Sequence, residues 1–95
     1  MGESGHAVTF TSRETAELLS APSDTAPLGA EEVAGQTLCT LVSAGTELAG
    51  AYLGQTFPRV PGYAAAFEVT EVGSDVAGFA PGDTAFCMGP HRSWQ

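Results

Sequence analysis

The stretch PGYAAAFEVTEVGSDVAGFAPGDTAF constrains the fold more than any other part of the chain. Ala65, Phe67, Val69 and Glu71 alternate with Ala66, Glu68, Thr70 and Val72. That period of two predicts a strand with one packed face. Pro58 and Pro61 hold an extended approach to it, because each disfavours helix in the preceding residue, and Gly62 supplies a free backbone angle. Gly73-Ser74-Asp75 forms a turn behind it, and Val76 and Phe79 read as apolar anchors. Pro81-Gly82-Asp83 forms a second turn, with Asp83 placed to accept backbone hydrogen bonds. Thr84 to Met88 reads as the next strand.

The rest of the chain repeats this style of short strands cut by Gly and Pro. His6 to Thr11 is rich in β-formers and nearly alternating, and Ser12-Arg13 can turn it. Glu14 to Ser20 pairs back as a second strand, though its length also admits a short helix. Ala21 to Ala30, with Pro22, Pro27 and Gly29, reads as a loop. Glu31 to Val42 reads as a strand whose apolar positions are Val33, Leu38 and Val42, with Gly35 as a bulge. Gly45 to Leu53 spaces Leu48, Ala49, Tyr52 and Leu53 helically, with Gly45 or Thr46 as N-cap and Gly54 as the stop. The whole predicts a mainly β, barrel-like domain with one or two short helices.

Ninety-five residues make one domain with a modest core. The 43% hydrophobic and 15% charged content reads as globular. The net charge of −8, with 3 basic residues against 11 acidic ones, disfavours nucleic acid and anionic membrane surfaces as partners. No apolar run is long enough for a membrane-spanning helix, and Met1 to His6 has no signal-like pattern. Cys39 and Cys87 read as two reduced, packed thiols. With His6 and His91 they make no pair at metal-ligand spacing.

PGYxxxxEVxEVGSDVxGFxPGD, preceded by Val-Ser-Ala-Gly-Thr-Glu-Leu at 42–48, resembles the GroES-like domain of the medium-chain dehydrogenase/reductases. The resemblance runs from about Ala7 to His91. It is nearest a branch reading S-x-G-T-E and P-G-Y, the bacteriochlorophyllide dehydrogenase-like enzymes. The fold it implies is a partly open, small GroES-like β-barrel over residues 1–95, incomplete at its C-terminus. The function it implies is that of the substrate-side domain of an NAD(P)-dependent oxidoreductase acting on a small alcohol or carbonyl compound. A cytoplasmic location goes with that reading.

Departures from the family pattern refine the expectation. Zinc-dependent members take ligands from a cysteine before Gly-Thr-Asp and from the histidine of Pro-Gly-His-Glu. Here Ala44 and Tyr63-Ala64 stand at those places, and neither can supply a thiolate or imidazole. The resemblance therefore implies a zinc-independent member with no metal site. Phe67 replaces a usual small glycine. NAD(P) is implied for a full-length parent, but the chain carries no G-x-G-x-x-G loop, so none is expected here and catalysis by this chain alone is not expected. The chain ends at Gln95 where the family barrel continues, so a leading fragment with strand edges open to self-association is expected.

Within that frame Thr46, Glu47 and Tyr63 are the candidate catalytic residues, and Ser43 and His91 the candidate substrate contacts. Each has a plainer reading. Thr46 and Glu47 would cap the helix and offset its dipole. Tyr63 would be a half-buried aromatic with its hydroxyl at the surface. His91 would be an exposed loop histidine. The alternative for the whole chain is a stand-alone GroES-like binding or assembly module without catalysis.

Overall fold

The computed structural model describes residues 5–22 and 27–95. Met1 to Ser4 of the N-terminal reading, and Ser23 to Ala26 of the expected loop, lie outside them. The fold is mainly β, with two antiparallel sheets. Strands β1 (His6–Ser12) and β2 (Thr15–Ser20) form a hairpin. Strands β3 (Val33–Leu41), β4 (Ala64–Val72) and β5 (Thr84–Cys87) form a sheet in that order. Neither sheet closes on itself.

The period-two face of β4 makes the core. Ala65, Phe67 and Val69 are buried, and Val33, Val72 and Cys87 pack around Phe67, Val69 and Ala85. Phe67, at a place where the family resemblance expects glycine, is accommodated by a glycine on the neighbouring strand. A Cβ on Gly35 would collide with the Glu68 carbonyl oxygen and the Phe67 ring. Gly35 sits where the β3–β4 register slips, from Ala34 opposite Glu71 to Gly35 opposite Val69. A second slip leaves Leu38 without a partner, between Thr37 opposite Phe67 and Cys39 opposite Ala66. The ladder is therefore bulged once on each strand.

Of the three apolar positions read in β3, Val33 packs against the core, the bulged Leu38 is exposed, and Val42, also exposed, lies on the same face as Thr40. Cys39, expected packed, is exposed, while Cys87 is half-buried; both are free thiols. Phe79, read as an apolar anchor, is 46% exposed. Asp83 closes the turn as expected: its Oδ2 accepts from the Ala80 N–H at 2.9 Å, and its own N–H donates to the Ala80 carbonyl at 3.0 Å.

The expected helix over Gly45–Leu53 is shorter and of two kinds. The single α-helical turn α1 (Ala44–Glu47) has Ser43 as N-cap, not Gly45 or Thr46. It runs into a π-helical turn, Leu48–Tyr52, in which the Leu53 N–H donates to the Leu48 carbonyl at 2.8 Å. Tyr52 ties this turn to the β1–β2 hairpin. Its hydroxyl donates to the Glu14 carbonyl at 2.8 Å, and its own carbonyl accepts from the Glu14 N–H at 2.9 Å. Its ring meets Phe10 edge-on, with centroids 5.4 Å apart.

The segment 91–95 joins the two sheets. On one side it accepts from the Val8 N–H at the His91 carbonyl (2.9 Å) and donates from the Ser93 N–H to His6 (2.9 Å). On the other, the Ser93 carbonyl accepts from the Thr37 N–H, and Gln95 and Gly35 exchange two bonds, all at 3.0 Å. This seam uses backbone groups that β1 and β3 would otherwise present as open edges. The Arg92 guanidinium lies 3.7 Å from the Trp94 ring centroid, and the Trp94 indole N–H reaches the Ala21 carbonyl at 3.1 Å.

Candidate active site

The seam carries His91 inward. It was expected as an exposed loop histidine and is 9% exposed instead. The cause is backbone pairing on both flanks: its N–H donates to the Pro61 carbonyl, and its carbonyl accepts from Val8, each at 2.9 Å. Pro61 can lie this close because Gly62 has no side chain; a Cβ there would run into the Cα of Pro90.

Both ring nitrogens of His91 are engaged. Nε2 pairs with the Glu47 carboxylate, 44 residues away in sequence. Nδ1 lies 2.6 Å from the Thr40 hydroxyl oxygen. Glu47 is itself buried, and its other oxygen accepts the Ser43 N–H at 2.5 Å. This bond satisfies a donor just ahead of the helical turn and fixes the carboxylate. In the neutral imidazole, Nε2–H donates to Glu47, and Nδ1 is left to accept from the Thr40 hydroxyl. The result is a hydroxyl–imidazole–carboxylate chain assembled from β3, the seam and α1.

The chain lines a cavity of about 470 Å³. That is a size suited to a small molecule. Its walls are Val8 and Phe10 of β1, Leu48 and Tyr52 of the π-helical turn, and Val42, Ala44 and Pro61. The Tyr52 hydroxyl is engaged with Glu14, which leaves Thr40, Glu47 and His91 as the polar lining. Among the described residues, no Arg side chain lines the cavity.

Of the five sequence candidates, Glu47 and His91 come together in this site. Ser43 contributes its backbone N–H to Glu47 and does not line the cavity. Thr46 is exposed, and Tyr63 is 49% exposed; neither borders the cavity. Thr40 belongs to the site and escaped the sequence reading. Its signal is hidden by the Leu38 bulge, which puts Thr37 and Thr40 on one face although they are three residues apart.

The residues present do not fit the cofactors of the resembled family. The α1 turn is four residues long, and Glu47 already places a carboxylate against its leading N–H group, so it offers no cradle for a pyrophosphate. For zinc, Ala44 has no ligand atom and Tyr63 lies outside the cavity. Among the described residues, no group of three or more His, Cys, Asp or Glu side chains is placed to hold a metal ion. Among them, too, no helix is long and apolar enough to cross a membrane.

No protein-family model, no curated protein and no solved structure matches the chain.

Proposed function

We propose that this chain is the substrate-side domain of a zinc-independent, NAD(P)-dependent oxidoreductase of the medium-chain type. Its finer fold would then be a GroES-like, partly open barrel, with the seam 91–95 drawing the two sheets together. The observation that carries the functional reading is the Thr40–His91–Glu47 chain, buried at His91 and Glu47, in the wall of an apolar cavity. Alcohol–carbonyl chemistry needs a proton moved at the substrate oxygen. A small alcohol or carbonyl compound bound in the cavity would place its oxygen at Thr40 Oγ1, with His91 accepting or returning the proton and Glu47 orienting the ring. The dinucleotide would be held by residues other than those described here.

Native mass spectrometry of the protein purified from its source, paired with NAD(P)H oxidation against a series of neutral ketones and aldehydes, tests this. The reading expects a bound dinucleotide without zinc, and turnover that falls about a hundredfold in Thr40→Val. A species with no dinucleotide and no NAD(P)H oxidation sinks it and favours a binding module without catalysis.

A further inference from the structure

The same three side chains have a second capability that needs no dinucleotide. A hydroxyl hydrogen-bonded to an imidazole, whose far nitrogen is held by a carboxylate, is the arrangement that activates a hydroxyl as a nucleophile. Here the hydroxyl is 2.6 Å from its base, and the base pairs with a buried carboxylate anchored to the Ser43 N–H. The His91 main chain is bonded on both flanks, so its ring is held from the backbone as well. The cavity that Thr40 faces is walled by apolar side chains. We infer that Thr40 accepts acyl groups, and that the chain is an esterase toward small, neutral, apolar esters.

The steps balance within these residues and water. Thr40 Oγ1 attacks the ester carbonyl carbon while its proton passes to His91 Nδ1, and Glu47 stabilises the imidazolium. The ester C–O bond breaks, and the leaving oxygen takes the proton from Nδ1. Water then attacks the acyl-threonine, with His91 taking its proton and returning it to Thr40 Oγ1. The products are one carboxylic acid and one alcohol. No oxidant, reductant or metal enters.

The ester class follows from the walls. Val8, Phe10, Leu48 and Pro61 offer an acyl chain dispersion contacts. A carboxylate-bearing ester would meet Glu47 with no fixed cation to offset it. The volume of about 470 Å³ is roughly three times the ~150 Å³ that holds a benzene ring, which is room for a small ester.

The test uses p-nitrophenyl butyrate on the full chain, without nucleotide. Expected are release of p-nitrophenol and a mass increase of one butyryl group on the peptide containing Thr40. Hydrolysis should fall about a hundredfold in His91→Ala and Thr40→Val, and stay within a few-fold in Thr40→Ser. Butyrylation absent from the wild-type chain, or mapped to another residue, overturns the inference. So does unchanged hydrolysis in a Thr40→Val protein whose NMR spectrum remains folded. Because the label is read on the wild-type chain, a variant that fails to fold does not blunt the test. The inference is independent of the oxidoreductase reading: lack of NAD(P)H oxidation leaves it standing, and lack of acylation leaves that reading standing.

Discussion

At the scale of residues, the Glu47 carboxylate governs both stability and site. It accepts from Ser43 at one oxygen and pairs with His91 at the other, and little of it reaches water. Removing one member of such a pair leaves the other buried without its partner. His91→Ala is expected to lower stability by about 3 kcal/mol. Urea unfolding should then show a lower midpoint at an unchanged slope. Thr40→Val loses one neutral hydrogen bond and should cost about 1 kcal/mol, which separates its effect on chemistry from any effect on fold. A midpoint for His91→Ala equal to the parent's would show that Glu47 finds water instead. Glu47 and His91 were both singled out from the sequence, but not as partners. Nothing local connects positions 44 residues apart; the seam does, and its pairing with β1 and β3 is a tertiary property.

At the scale of elements, β4 was legible from Ala65 to Val69, where its alternation is regular and its inner face buried; past the extra residue Thr70 the face changes, and Val72 rather than Glu71 packs on the core. β3 was less so. A strand with an extra residue changes face in mid-course, so a period of two holds only to the bulge. That is why Thr40 went unnoticed. The bulge at Gly35, by contrast, has a marker in the sequence, and the reason is steric. Gly35→Ala is expected to force the strands apart at Glu68 and Phe67, at a cost of about 2 kcal/mol or more. The melting temperature should drop by roughly 10 °C or more in a chain of this size. A drop of only a degree or two would mean the ladder relaxes there freely. The helical turn also departed from its pattern: Leu48 and Leu53, spaced for burial, are both largely exposed. Exposure runs along β2 as well, which pairs only with β1. Amide exchange should therefore be faster in β2 than in β4, measured by native-state hydrogen exchange. Equal protection in the two strands would mean the hairpin opens only with the core.

At the scale of the whole molecule, charge opposes compaction. Eight net negative charges on 95 residues repel one another across a small body. Raising the salt concentration from about 0.01 M to about 0.1 M shortens the screening length from about 30 Å to about 10 Å. The melting temperature is expected to rise over that range. A fall would point to specific ion pairs, rather than diffuse repulsion, as the dominant electrostatic effect.

The seam 91–95 has one more consequence. It supplies the strand that spans the gap between two sheets and also the imidazole of the site. One short segment thus serves the docking of the sheets and the proton chain alike, through different contacts: Thr40 and Glu47 hold the His91 ring, while Val8 and His6 hold the seam to the hairpin. The His91 ring resonances therefore follow the proton chain and the Val8 amide follows the docking, so the two can be watched separately in one molecule.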